Sequence, residues 1–104
     1  VIRGLIVNAF AESELDPRAV SSGRKSFGIF QLHVDGLGYG MSRKDMFDVE
    51  TSTNVIVDFM KDQGVNYNKM NEKQATKTIC STVLRPKDKQ LQLKNRLMLL
   101  SKLF

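Results

Sequence analysis

The sequence predicts a mostly α-helical single domain that contains one loop-rich segment, at about residues 16–41. The chain has 104 residues, enough for one hydrophobic core rather than two. Apolar residues make up 41% of it and charged residues 26%, an ordinary globular balance. On both sides of the segment apolar residues recur at helical spacing, whereas five of the seven glycines fall inside it.

The first helix is predicted over about residues 1–14. Pro17 disfavours helical geometry at the residue before it, so the helix should end there. Its apolar residues recur at the spacing of one buried face, namely Ile2, Leu5, Ile6 and Ala9.

The loop-rich segment and a short helix come next. Within the segment, residues 26–34 have strand-like composition, although helical turns could occupy part of them. Ser42 can cap a short helix that runs through Phe47.

Three further helices are predicted, over about residues 49–63, 72–84 and 87–103. The first stops at Gly64, Asn71 with Gln74 resembles a capping box for the second, and Pro86 separates the second from the third. The apolar face is predicted to comprise Val49, Thr53, Ile56 and Met60 in the first, Ala75, Ile79, Cys80 and Val83 in the second, and Leu91, Leu93, Leu97, Met98 and Leu100 in the third.

Charge and cysteine content restrict the kind of site. Residues 1–60 hold six Lys/Arg against eight Asp/Glu, whereas residues 61–104 hold ten against three. The second part therefore favours a polyanionic partner. Cys80 is the only cysteine and His33 the only histidine, so we expect no intrachain disulfide, no metal and no cofactor. No apolar stretch approaches the roughly 20 residues of a membrane span.

Glu12 is the candidate for acid–base chemistry. It lies where the apolar stripe of the first helix runs out. A carboxyl group beside a hydrophobic wall is more easily kept neutral, which suits a general acid near neutral pH. The residues alone also fit an ordinary solvated glutamate at a helix end.

Two short motifs stand on either side of the loop. Glu12-Ser13 closes the first helix, and Gly28-Ile29-Phe30-Gln31 follows after small polar residues. Together they resemble the lysozyme-like lytic transglycosylases and goose-type lysozymes, among them phage tail lysozymes. That family has a Glu-Ser pair and then Gly-Leu-Met-Gln or a close variant, so Phe30 replaces Met. The resemblance covers about residues 5–60 and includes Asp16-Pro17, Ala19-Val20-Ser21, Phe47-Asp48 and Asn54-Val55.

The later helix departs from part of that family. Residues 75–84 contain neither the Tyr nor the Asn of the soluble transglycosylases, whereas Arg85-Pro86 resembles the Arg-Pro of several phage tail lysozymes. The resemblance thus implies a lysozyme-like domain over residues 1–104 that is virion-associated or in the cell envelope, periplasmic or extracellular. Because the chain begins inside a helical pattern, we expect a piece of a longer polypeptide whose flanking segments contact other virion or envelope proteins.

The resemblance implies cleavage of the β-1,4 bond between N-acetylmuramic acid and N-acetylglucosamine in peptidoglycan, with Glu12 as the acid. Glu14 would point away on a helix. A hydrolase needs a second carboxylate about 5–9.5 Å away. Asp35, Asp45 and Asp48 are available, but Asp48 suits a helix cap and Asp35 a turn. We therefore favour a lytic transglycosylase, in which Glu12 acts as acid and then as base.

Four residues are predicted to bind substrate. Ser13 could hydrogen-bond near the reacting sugar or act as a local cap. Gly28 would let backbone approach substrate, and Gln31 offers an amide to an N-acetyl group or to Glu12. Phe30 could pack on a sugar face, although core packing is the commoner role of such an aromatic. His33 fits a hydrogen-bonded structural residue better than a base.

Two alternative functions stay open at this stage. One is an inactive glycan-binding or structural module with the same fold. The other is a basic helical nucleic-acid binder, but no nucleic-acid motif accompanies its cations, so we do not expect that partner. Those cations are Lys69, Lys73, Lys77, Arg85, Lys87, Lys89, Lys94 and Arg96.

Overall fold

The computed structural model describes residues 1–104, apart from the side chain of Tyr67. Helices account for 59% of the chain, which confirms the mostly α class. The elements in chain order are α1 (Ile2–Ser13), β1 (Ser26–Phe27), β2 (Leu32–His33), α2 (Arg43–Phe47), α3 (Val49–Asp62), a 3₁₀ turn (Tyr67–Lys69), α4 (Glu72–Thr78), its π-helical continuation (Ile79–Leu84) and α5 (Lys89–Leu103).

A small hairpin forms inside the loop-rich segment. Strand β1 pairs antiparallel with β2 in the register Ser26 to His33 and Phe27 to Leu32. Val20 adds an isolated antiparallel bridge to Phe27. The predicted strand content of residues 26–34 is therefore confirmed.

Side-chain caps fix the starts of α2, α3 and α4. Ser42 Oγ accepts a hydrogen bond from the amide of Asp45, and the Asp48 carboxylate accepts one from the amide of Thr51. Asn71 and Gln74 form the reciprocal capping box. All three predicted caps are confirmed, because each one depends only on residues three positions apart.

The predicted helix at residues 72–84 is continuous but changes geometry at its middle. After Thr78 it widens into π-helical turns, and the amide of Arg85 donates to the Cys80 carbonyl at 2.9 Å. Arg85 then ends the segment in the left-handed region, at φ 48°. The predicted inward residues Ala75, Ile79, Cys80 and Val83 are all buried.

The core lies between the hairpin and the helices. It comprises Ala9, Phe27, Phe30, Leu32, Met46, Ile56, Met60, Ile79 and Val83. Helix α1 packs on both α4 and α5. In the part of the chain that is described, none of the helices is both long and apolar enough to cross a membrane.

Four residues of the predicted apolar faces are exposed instead. Ile2 is 74% exposed, Val49 45%, Leu91 54% and Met98 47%. In α1 the cause is Gly4, where an added Cβ would lie 2.9 Å from the backbone nitrogen of Thr76. Close contact with α4 at this glycine turns the face of Gly4 and Asn8 inward and Ile2 outward.

Candidate active site

Glu12 lies in the last turn of α1, which ends at Glu14 in the left-handed region, at φ 55°. The side chain of Glu12 is 18% exposed, and its Oε1 accepts a hydrogen bond from Nη2 of Arg96 at 3.0 Å. Glu14, two residues further on, is exposed. The two glutamates therefore have different surroundings, as predicted.

Arg96 is buried in α5, with 1% of its surface exposed. Nη1 donates to Oδ1 of Asn8 at 2.8 Å, and Nη2 also donates to Oε1 of Gln92 at 3.3 Å. Nε has no hydrogen-bond partner among the described residues. A buried guanidinium needs hydrogen-bond acceptors, and the side chains of Asn8, Glu12 and Gln92 supply them.

Asn8 joins this network to α4. It is fully buried, and its Nδ2 donates to the carbonyls of Gly4 at 2.8 Å and Thr76 at 3.3 Å. Because Arg96 uses the remaining oxygen of the amide, α1, α4 and α5 are tied together directly below Glu12. The Glu12 carboxyl therefore has a fixed orientation.

The Glu12 carboxyl was expected to lie beside an apolar wall, but the guanidinium of Arg96 lies against it instead. Arg96 holds Oε1, and Oε2 makes no hydrogen bond within the described residues. A guanidinium compensates the negative charge of a carboxylate that has given up its proton. Of the two carboxyl oxygens of Glu12, Oε2 is thus the one without a hydrogen-bond partner among the described residues.

Ser13 fastens the end of α1 to the hairpin segment. Its hydroxyl lies 2.7 Å from the Ile29 carbonyl and 3.0 Å from the Ala9 carbonyl, both acceptors for its single proton. The two motifs of the sequence are therefore adjacent in space. A contact between Ser13 and substrate stays a prediction.

Gly28 and Phe30 both serve packing. An added Cβ at Gly28, whose φ is +88°, would lie 2.0 Å from the Met46 carbonyl oxygen, so the backbone that approaches it closely is the end of α2. Ser52 Oγ donates to the same carbonyl at 2.9 Å. Phe30 is 3% exposed and belongs to the core, so its prediction as a sugar-stacking residue is corrected: no ring face is free.

Gln31 lies in the left-handed region at φ 53°. Its Nε2 donates to the carbonyls of Ala19 at 3.1 Å and Gly28 at 2.9 Å, which leaves Oε1 as the free end of the amide. Gln31 lines a cavity of about 670 Å³ to which Arg85 also contributes, whereas Glu12 is not among the lining residues.

The three candidate second carboxylates are at turns and caps. Hydrogen bonds from the Thr51 side chain and backbone lower the pKa of Asp48 below 3.8. Asp35 and Asp45 are exposed. The backbone amide of Asp35 donates to His33 Nδ1, and that of Asp45 donates to Ser42 Oγ. No hydrogen bond or ion pair joins Glu12 to any of them within the described residues. Asp48 is thus a helix cap, as predicted.

The cations of the second half do not form one stripe. Lys69 and Lys77 line one surface cavity and Lys73 another. Arg96, one of the eight cations considered for nucleic acid, is buried and cannot reach a phosphate. Cys80 is a core residue, and burial raises the pKa of its thiol.

No family model, curated protein or solved structure matches this chain. The candidate site is defined by Glu12 and its buried support. Sequence reasoning missed that support, although an asparagine between the apolar residues of α1 and an arginine among the leucines of α5 were visible signals. Polar groups at such positions must find buried partners.

Proposed function

We propose that this chain is a lysozyme-like glycosidase that cleaves the β-1,4 bond between N-acetylmuramic acid and N-acetylglucosamine, with Glu12 as the proton donor. One observation carries the proposal: a partly exposed carboxyl at the end of α1 is held through one oxygen by a buried arginine, beside the Gly28–Gln31 segment. A group held in this way is oriented before substrate arrives.

The favoured reaction is that of a lytic transglycosylase. The carboxyl proton of Glu12 passes to the glycosidic oxygen as the bond from C1 to that oxygen breaks. The resulting carboxylate then takes the proton of the sugar's 6-hydroxyl, whose oxygen bonds to C1 and closes a 1,6-anhydro ring. No water is consumed, and Glu12 ends protonated as it began. Arg96 compensates the negative charge that Glu12 carries between the two steps.

The carboxylates favour this route over hydrolysis. A hydrolase of this kind needs a second carboxylate within reach of the sugar. The Asp48 carboxylate already accepts two hydrogen bonds from Thr51, at 2.9 and 2.6 Å. The transglycosylase route needs only Glu12.

The proposed substrate is peptidoglycan, and the proposed setting is a phage virion that opens the cell wall locally. The resemblance to phage tail lysozymes supports the setting, and the excess of ten Lys/Arg over three acids in residues 61–104 supports attraction to an anionic wall. We infer further contacts with other virion or envelope proteins.

Mass spectrometry of soluble products from purified peptidoglycan tests the proposal. We expect disaccharide-peptides with 1,6-anhydromuramic ends. Reducing muramic ends would show that the enzyme is a muramidase and not a transglycosylase. Wall binding without soluble products would favour an inactive glycan-binding module of the same fold.

A further inference from the structure

A surface groove runs between α4 and α5, and Glu12 is not among the residues that line it. The groove encloses about 650 Å³. Leu97 and Ser101 also line a second cavity of about 320 Å³, which reaches Lys73 and extends the groove along α4. The lining residues of α5 lie within positions 90–102, which cover about 18 Å of helix at about 1.5 Å per residue. The groove is therefore about three helical turns long.

The floor of the groove is an apolar strip of α5 formed by Leu93, Leu97 and Met98. Both leucines are half-buried, and Met98 is 47% exposed. Leu93 and Leu97 are four positions apart and thus lie on one side of the helix. A strip of this kind matches the apolar side chains of an amphipathic helix, which recur every three or four residues.

Lysines line the groove on both helices. α5 contributes Lys94 and Lys102, and α4 contributes Lys77 and, in the second cavity, Lys73. All four side chains are exposed, and none of the described residues that line the two cavities is acidic. Within the described residues, no ion pair joins these lysines to a carboxylate. The groove is therefore complementary to a ligand with acidic groups on both sides of an apolar stripe.

A second copy of the chain does not supply such a ligand from its most acidic helix. The exposed row of α3 consists of Glu50, Asn54 and Asp58, at successive steps of four residues, and it is polar throughout. A flat anionic bilayer would meet the exposed lysines of the groove but not the half-buried leucines between them. The shape and the charge of the groove together favour a separate helix.

We propose that this groove docks an acidic amphipathic helix of a partner protein. The apolar strip of α5 packs against the apolar stripe of that helix, and the lysines of α4 and α5 pair with carboxylates on its two flanks. Charge complementarity carries the choice of occupant. The inference does not depend on the proposed activity, because Glu12 and Gln31 do not line the groove.

Fluorescence-anisotropy titration with a labelled synthetic peptide tests the groove. The probe is a peptide of about 18 residues, long enough to form a helix, with leucines along one stripe and glutamates on both sides of it. Its control has the same composition in scrambled order, so the charge is equal but the stripe is lost. We expect the ordered peptide to bind about tenfold more tightly than the scrambled one, because only it can place leucines on the floor and carboxylates beside the lysines.

The double variant Lys94→Glu, Lys102→Glu should weaken binding of the ordered peptide about tenfold. It should gain binding to a peptide in which lysines replace the glutamates. The matched control is Lys87→Glu, Lys89→Glu, which changes the net charge equally at exposed lysines that do not line the groove. Met98→Gln, which keeps the charge, should also weaken binding of the ordered peptide.

Equal binding of the ordered and scrambled peptides, or equal losses in the two double variants, would overturn the proposal. Binding to phosphatidylglycerol vesicles without binding of the ordered peptide would overturn it in favour of an anionic bilayer. Dimerisation in sedimentation equilibrium that Lys94→Glu, Lys102→Glu abolishes would overturn it in favour of a second copy of the chain.

Discussion

Nη2 of Arg96 donates to Oε1 of Glu12 at 3.0 Å, and the two residues are 84 positions apart in the chain. The side chain of Arg96 is 1% exposed and that of Glu12 18%, so a buried arginine holds a carboxyl group that reaches the surface. The same arginine binds Asn8, which places α5 under the end of α1. Folding of the last helix is therefore required to orient the candidate acid.

Loss of the buried guanidinium should be costly. Arg96→Met removes the charge and leaves Glu12 and the Asn8 amide oxygen without their donor, so we expect the free energy of unfolding to fall by about 1–3 kcal/mol. Urea unfolding followed by circular dichroism measures the change. Lys94→Met is the control on the same helix, because Lys94 is exposed, and it should cost less than about 0.5 kcal/mol. Equal losses for the two variants would contradict the structural role of the pair.

Alanine substitutions at Gly28 and Gly40 distinguish the cost of steric overlap from the cost of backbone strain. Both have positive φ, +88° and +79°, but only at Gly28 would a Cβ strike a backbone atom, the Met46 carbonyl oxygen at 2.0 Å. We expect Gly40→Ala to cost about 1–2 kcal/mol and Gly28→Ala more than about 3 kcal/mol in thermal or urea unfolding. Similar losses at the two positions would argue against close packing of the hairpin on α2.

The cap of α3 should make stability depend on acid pH. The Thr51 hydrogen bonds hold the pKa of Asp48 in the folded state below its ordinary 3.8. The cap therefore stabilises the fold above about pH 4 and loses this effect as the pH falls through the folded pKa. Thr51→Val removes the hydrogen bond from the Thr51 hydroxyl to Asp48, so it should lower the free energy of unfolding at pH 7. The difference in that free energy between the variant and the parent should narrow toward pH 2.

Thr53→Val is the control for that experiment. The Thr53 hydroxyl donates to the Val49 carbonyl, so no carboxylate is involved and any loss of stability should be independent of pH. A Thr51→Val difference that stays constant between pH 7 and pH 2 would contradict the role of Asp48.

Local patterns in the sequence predicted local structure well. The caps at Ser42, Asp48 and Asn71 and the inward face of residues 75–83 depend on neighbours in the chain, and all are confirmed. The packing of α1 depends on Gly4 meeting α4, a contact across about 70 residues that helical periodicity does not contain.

The candidate site was predicted only in part for the same reason. Glu12 could be singled out, but its partner lies 84 residues away on a helix whose leucines surround it, and Leu91 and Met98 on that helix are 54% and 47% exposed. With apolar residues on more than one side, the buried face of α5 cannot be read from the pattern. Phe30 was placed near substrate by its motif, whereas its burial depends on the complete core.

The exposed lysines should act on binding to the wall and not on bond cleavage. Glu12→Gln protein should sediment with purified walls at low salt and come off progressively as salt screens the charges. Substitution of Lys69, Lys73 and Lys77 by Glu should raise the substrate concentration that gives half the maximal rate, with little change in the maximal rate itself. Loss of the maximal rate at saturating substrate would place these lysines at the catalytic groove, and loss of strong DNA binding with normal wall binding would favour a nucleic-acid function.

The most direct test compares Glu12→Gln with Glu14→Gln in the release of soluble fragments from purified peptidoglycan. The amide introduced by Glu12→Gln keeps the shape of the side chain and an oxygen for Arg96 but has no acidic proton to donate. We therefore expect the rate to fall by about 10²–10⁴-fold while the helical circular dichroism is unchanged. Glu14 is exposed, and its variant should cleave at the parent's rate. Clearance by Glu12→Gln at a rate close to the parent's would contradict the assignment of Glu12 as the proton donor.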